Sequence, residues 1–387
     1  MKILFLSQRV PYPPNRGDKI TTWRLVERMS REHEVRIVAF AHDDADREAA
    51  RELEAKGFEI ATFEPRSKLA ALPHLLGKRP MTLVVFGSRG LQEKVDEWIA
   101  DTDLAYAYSS SMGAFFLPHA LPRVMHFAEL DSDKWRQYAE KTGWPMRAIY
   151  RREFKTLRSF EVDLAHAVDE NVFCTPLEEE IFQREIPGAK SCVLRNGVDL
   201  TGYVPEPEAA EPGHLVFVGV MNYYPNVEGC QWFCDEILPR VRERIPEAKL
   251  SIVGAHPTPQ VQKLADREGV LVTGFVDDPK DWLKRASVSV APLRIARGIQ
   301  NKVLEALAMG LPVVGTTSAT QGVEGEPGRD FLLEDTVEGQ VDAICGLLTD
   351  PERARALGAR GRAFVEEHYD WEACLAPLDE MLARLGP

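Results

Sequence analysis

Short apolar runs recur along this chain, each followed by an amphipathic or charged stretch of helix length. That alternation restricts the fold to parallel sheets covered on both faces by helices. Strands are predicted at 2–6, 35–40, 58–62, 104–108, 123–127, 171–174 and 192–195. The first helix is expected to be capped by Asp18 and to reach about residue 30, with Ile20, Trp23, Leu25, Val26 and Met29 on its apolar face. A charged, exposed helix is expected over 44–56.

The segment 203–213, YVPEPEAAEPG, holds three prolines among glutamates and alanines, so it reads as a linker. A second series follows, with strands predicted at 215–218, 250–253, 270–273, 288–291 and 312–315 and a helix over 227–244. The expected fold is therefore α/β, with two doubly wound Rossmann-like domains facing each other across a cleft. Ligands should bind beyond the carboxyl ends of the strands. The domains are placed at 1–203 and 204–368, with the C-terminal helix, about 369–387, crossing back onto the first. A length of 387 residues suits that division.

Composition narrows the partners. The chain is 44% hydrophobic and 28% charged, with a formal net charge of -13, which disfavours nucleic acid. The opening apolar run, Ile3 to Leu6, is too short for a secretory leader, and no stretch of about 18 apolar residues could span a bilayer. A cytoplasmic location is expected. The six cysteines form no CxxC pair. Cys230 and Cys234 would share a helix face, and we read them as buried thiols rather than metal ligands.

The richest stretch is 291–315, APLRIARGIQNKVLEALAMGLPVVG. A strand ends near Pro292, a basic loop follows, Gly298 is expected to open a helix to about Met309, and Gly310 ends it. A glycine at a helix start lets a phosphate approach backbone N–H groups at the positive end of the dipole. Arg294, Arg297 and Lys302 supply charge there, and Glu305 could accept hydrogen bonds from two vicinal hydroxyls. In isolation the stretch also fits a packed βαβ unit with a solvated basic loop.

This stretch resembles the nucleotide-sugar motif of family 4 of the retaining glycosyltransferases, which have the GT-B fold. FVGVMNYYPNVEGCQWF (217–233), LSIVGAHP (250–257), VTGFVDD (272–278), NGVD (196–199) and the N-terminal PYPPNRGDK follow the family's order and spacing. The chain looks closest to the sugar transferases associated with exopolysaccharide and exosortase systems. The resemblance implies that Glu305 binds the donor ribose, with Gly298, Ile299, Gln300, Asn301 and Lys302 around the phosphates. It implies that the backbone of Gly274, Phe275 and Val276 receives the nucleobase, that Gly17 lets the diphosphate or the acceptor approach the first domain, and that Gly219 plays a similar part near the phosphates. A UDP-sugar is the donor the family favours, with no cofactor and no metal.

Two departures stand out. Arg297 occupies the position, eight before Glu305, where the family has a glutamate directed at sugar hydroxyls. After Gly219 the chain has Val220, Met221 and Asn222, where the family tends to carry an arginine and a lysine. Arg294, Arg297 and Lys302 are the expected substitutes for that lost charge, with Asn222 alongside. In the first domain, His126 at a strand end is a candidate to face the donor sugar or a satisfied core histidine. Glu129 and Asp131 are candidates to orient the acceptor hydroxyl. The triplets Asp131-Ser132-Asp133 and Asp101-Thr102-Asp103 read as helix caps rather than metal sites.

Residues 134–158 carry eight lysines and arginines against two glutamates. Arg147, Arg151 and Lys155 recur every four residues between apolar ones, so a helix here would set a basic stripe beside an apolar one. Peripheral contact with the inner membrane face, suited to a glycan or lipid-linked acceptor, is one expectation, and a solvated helix face is the other. The expected reaction is sugar transfer with retention of configuration. The rivals are a nucleotide-sugar epimerase of the same fold and a non-catalytic nucleotide-sugar-binding scaffold.

Overall fold

The structure is a computed structural model and describes residues 1–296 and 298–386. The chain divides into two compact units. One comprises Met1–Arg195 together with the residues from Leu375 onward, and the other Asn196–Cys374.

The first unit is built on seven parallel strands: β1 (Lys2–Ser7), β2 (Glu34–Phe40), β3 (Glu59–Phe63), β4 (Leu104–Tyr108), β5 (Arg123–Ala128), β6 (Glu170–Phe173) and β7 (Ser191–Val193). Their order across the sheet is β3-β2-β1-β4-β5-β6-β7. The central strands are continuous apolar runs because both faces are covered; Ile3, Leu4, Phe5 and Leu6 are at most 1% exposed. The second unit has six parallel strands: β8 (His214–Val218), β9 (Lys249–Val253), β10 (Val270–Gly274), β11 (Val288–Ala291), β12 (Val313–Gly315) and β13 (Leu332–Leu333), in the order β10-β9-β8-β11-β12-β13. Strand order reverses between β1 and β4 and again between β8 and β11. A doubly wound sheet opens its ligand crevice at such points, beyond the carboxyl ends.

Several local expectations change. The segment 203–213 is packed into the second unit: Arg362 donates to the Tyr203 carbonyl at 2.6 Å, and Glu211 pairs with Lys249 at 2.5 Å and Arg285 at 2.6 Å. Prolines prevent ladder formation there but leave side chains free to pair, and the division falls earlier, at Arg195–Asn196. The first helix begins at Gly17, without a side-chain cap, and Asp18 lies within its first turn. The helix expected over 227–244 is three pieces: Tyr224–Trp232, a π-helical turn Phe233–Ile237, and Leu238–Arg244 with Pro239 in its first turn. The basic stretch 134–158 is two helices, Asp131–Lys141 and Met146–Ala167, separated by Thr142–Pro145. Among the described residues, no helix is long and apolar enough to cross a membrane.

In the second unit the strand ends meet backbone to backbone. Gly219 N donates to Val253 O at 3.0 Å, and Gly254 N donates to Gly274 O at 3.3 Å. Gly254 has φ +147°, and a Cβ there would lie 1.7 Å from Gly219 O. Gly254→Ala therefore combines a disfavoured backbone conformation with a backbone clash. It should lower the stability of this unit by about 3 kcal/mol, read as an earlier midpoint in urea unfolding.

Candidate functional site

The second unit brings its predicted residues together at the β8/β11 switch point. Asn226, buried in the helix Tyr224–Trp232 that follows β8, donates to Val220 O at 2.9 Å. Lys302, from the helix Asn301–Ala308 that follows β11, donates to Asn226 Oδ1 at 2.6 Å. The same ammonium lies 4.8 Å from the centre of the Phe217 ring and 3.4 Å from where a Gly219 Cβ would stand. Burial lowers its pKa to about 8. A cation so placed, beside bare backbone and at a helix start, presents its charge to whatever anion enters the crevice.

Glu305 follows one turn later on the same helix. It hydrogen-bonds the Tyr203 hydroxyl; burial raises its pKa, while Tyr203 and Lys302 pull the other way. The Tyr203 phenol is raised by burial first and by Glu305 next. The tyrosine thus fixes the carboxylate that the sequence assigns to a ribose.

The loop before this helix is held from behind. Thr316 Oγ1 donates to Leu293 O, and Gln321 Nε2 donates to Ala296 O at 2.8 Å. Gly322 leaves no room for a Cβ, which would stand 2.3 Å from Gly298 O. Gly298 does not open the helix as expected. It takes φ +61° in the loop, and the helix starts at Asn301 with Gln300 as its N-cap residue. Ile299 packs against the core of this unit. The Asn301 Oδ1 atom is buried with no hydrogen-bond partner among the described residues. Arg294 is already engaged, pairing with Glu228 and lying 5.1 Å from the Trp232 ring centre. Arg297 lies outside the described residues, so its expected role against the donor stays with the sequence.

Gly274 ends β10 with φ +69°, and the next side chain, Phe275, is 75% exposed. Val276 turns back against the core. Asn222 is exposed in the turn after β8.

The first unit treats its candidates differently. His126 fits the second of its two readings, a satisfied core histidine. It lies inside β5, wholly buried, with Nδ1 2.8 Å from the Tyr106 hydroxyl, Nε2 3.4 Å from Cys174 Sγ and its ring 4.8 Å from that of Tyr108. Burial drives its pKa down to about 3, so it is a neutral core residue. Asp131 does sit at the carboxyl edge of the sheet, where Oδ2 accepts from Ser110 N at 3.1 Å, Ser110 Oγ at 2.6 Å and Ser109 Oγ at 3.3 Å. Beside it, Glu161 accepts from Ser132 N at 3.0 Å, and burial together with the Asp131 charge raises its carboxyl to about 8. Glu129 is half-buried just after β5. Gly17 is exposed at the first turn of its helix. In the other acidic triplet, Asp103 accepts from Lys2 N at 2.7 Å and Asp101 from Lys2 Nζ at 2.5 Å.

The family model described as "Glycosyl transferases group 1" matches residues 212–350. A GDP-mannose-dependent alpha-(1-6)-phosphatidylinositol monomannoside mannosyltransferase of Mycolicibacterium smegmatis is 31% identical over 269 residues, 64% of this chain and 68% of that protein. The chain belongs to the group 1 glycosyltransferases. The protein of the same name from Mycobacterium tuberculosis is 32% identical over 160 residues, which span 38% of this chain and 42% of that relative. Among solved structures, Anabaena HepE in complex with UDP superposes with a TM-score of 0.73 at 16% identity, covering 100% of both chains. Sucrose-phosphate synthase from Thermosynechococcus elongatus gives 0.71 at 16% identity, covering 100% of this chain and 99% of that one. These two share the GT-B fold of this glycosyltransferase family.

Tyr203 and Asn226 escaped sequence reading, the first because it sits at the edge of a proline-rich run. The only signal for Asn226 was its place three residues into a helix following a strand-terminal glycine. The Lys302 geometry has a measurable signature. Below about pH 8 the free amine already carries its proton; above it, binding a diphosphate must take one up. Nucleotide affinity should be flat below about pH 7.5 and fall by up to about tenfold per unit above pH 8. Lys302→Ala should weaken binding more than tenfold and abolish that slope, both read by calorimetric titration.

Proposed function

We propose that this protein transfers a mannosyl residue, with retention of configuration, from GDP-mannose to a lipid-linked acceptor. The observation carrying the reading is the Lys302–Asn226 contact beside the bare backbone of Gly219, with Glu305 one turn away. Those groups suit the two parts of any nucleotide sugar, its diphosphate and its ribose. As the glycosidic bond breaks, charge builds on the leaving phosphate. Lys302 and the positive end of the helix Asn301–Ala308 stabilise that charge more in the transition state than in the ground state. Asp131, on the acceptor side, would orient the incoming hydroxyl.

The sequence favours UDP through family habit. The relatives identical at 30% or more and named for a donor are named for GDP-mannose, whereas HepE, crystallised with UDP, is only 16% identical. That contrast moves the proposal to a guanine nucleotide, and the phosphatidylinositol mannosides in those names move it to a lipid acceptor. An exopolysaccharide role remains the alternative acceptor assignment, supported by sequence resemblance alone.

The test is a thermal-shift titration with GDP, UDP, ADP and dTDP. At a hundred times its Kd the favoured nucleotide adds about 2.7 kcal/mol to apparent stability. GDP should raise the melt most, and Glu305→Ala should remove the effect. A shift with UDP alone would overturn the donor assignment, and no shift at all would overturn the site. Labelled GDP-mannose should then pass its sugar to a lipid extract. Sugar interconversion without acceptor would establish the epimerase reading, and binding without turnover the scaffold.

A further inference from the structure

The cations of the helix Met146–Ala167 fall into two groups. Arg152 and Arg158 are bound. Arg152 Nη2 donates to the carbonyls of His74 and Gly77 at 2.7 Å and of Arg79 at 2.8 Å, while Arg158 pairs with Glu185. Arg147, Arg151 and Lys155 are exposed, and among the described residues no carboxylate pairs with any of them. In a chain of net charge -13, where exposed arginines elsewhere commonly hold a carboxylate, three unpaired cations on one stripe are a local reversal of sign.

Apolar surface stands at the tip of the same hairpin. Trp144 is 87% exposed and Met146 38%. Beneath them Trp135, Tyr138 and Tyr150 form an aromatic cluster with ring centres 5.5 to 6.0 Å apart, each half-buried. Arg147 braces the turn by donating from Nε to Thr142 O at 2.9 Å.

The hairpin also has a direction. Its first helix begins at Asp131, just past the end of β5, and its second returns to the start of β6. At about 1.5 Å per residue the 22-residue second helix is about 33 Å long, against about 20 Å for the six residues of β5. Its buried residues, Glu153, Leu157, Glu161, Leu164 and Ala165, start only at the eighth position. The surplus length therefore stands beyond the carboxyl edge of the sheet, on the Asp131 side.

We propose that this hairpin tip docks on an anionic lipid bilayer. Trp144 and Met146 enter the boundary between headgroups and acyl chains, the Trp-Tyr cluster lies at headgroup level, and Arg147, Arg151 and Lys155 meet the lipid phosphates. The apolar area is small and flanked by a stripe of cations, which suits a fluid surface; a protein partner of ordinary affinity needs a patch of about 800 Å² per side. The proposal deepens the lipid-acceptor reading and rests on it for its biological sense. A bilayer held along this stripe leaves Asp131 within about one short helix, roughly 16 Å, of the Trp144 tip.

The full chain should be co-sedimented with phosphatidylcholine vesicles, with and without phosphatidylglycerol, at low and high salt. We expect binding at least tenfold stronger to the anionic vesicles and weakened by salt. The triple substitution Arg147→Glu, Arg151→Glu, Lys155→Glu should lower it at least tenfold, and Trp144→Ala several-fold at unchanged charge. All four side chains are exposed, so the nucleotide-induced shift should stay as in the parent, and melting temperature should fall by no more than the loss of the Arg147–Thr142 hydrogen bond accounts for. Equal binding to neutral and anionic vesicles, or variants that sediment like the parent, would overturn the proposal. If the parent binds vesicles as expected but no nucleotide, the donor site fails and the docking surface stands. If nucleotide binds and vesicles do not, the docking surface fails alone.

Discussion

A single half-buried cation organises the second unit. Lys302 is partly withdrawn from water, and an ammonium so placed is tolerable only where fixed dipoles and π-electrons replace the hydration it loses. Asn226 and the Phe217 ring supply that replacement. Neither could do so unless β8 and β11 lay side by side, because one partner follows β8 and the cation follows β11. The glycines at the strand ends belong to the same constraint. Side chains at Gly219 or Gly254 would fill the space into which the lysine is aimed, or push the β8 and β9 ends apart.

The first unit keeps its tension in the backbone. Ser109, directly after β4, has φ 80°, and Ala128, ending β5, has φ 59°. Such left-handed conformations at residues with a Cβ cost about 1–3 kcal/mol each and persist only where surroundings hold them. Asp131 is one such restraint, since its carboxylate gathers Ser109 and Ser110. The acidic triplet read from sequence as a cap is thus a cap across the chain, holding a neighbouring strand end rather than its own helix.

The sheets are legible because strands buried on both faces write themselves as unbroken apolar runs, and the cluster of Lys302 and Glu305 is legible because both lie on one helix. What stayed illegible depended on partners distant in sequence. Nothing near His126 announces that Tyr106 and Cys174 will occupy its two nitrogens. In sequence Arg294 reads as a phosphate ligand, and only the fold brings Glu228, far upstream, to it as a counter-ion. Gly298 reads as a helix start because a phosphate-binding glycine often is one; here its left-handed φ serves the loop instead. Tyr203 was hidden by its neighbours, since prolines and glutamates dominate the reading of any window that contains it.

Glu153 on the long basic helix accepts hydrogen bonds from Met81 N, Thr82 N and Thr82 Oγ1, each at 2.8 Å, while Arg152 beside it gathers three carbonyls from residues 74–79. Both ends of that connecting segment, donors and acceptors alike, are thereby tethered to one turn of one helix, and no strand of the sheet lies within it. The helix works as an outrigger with cargo. A force that tilts its projecting end would carry residues 74–82 along as a rigid attachment, so a load applied at the tip is delivered to a stretch of chain some 65 residues earlier in sequence.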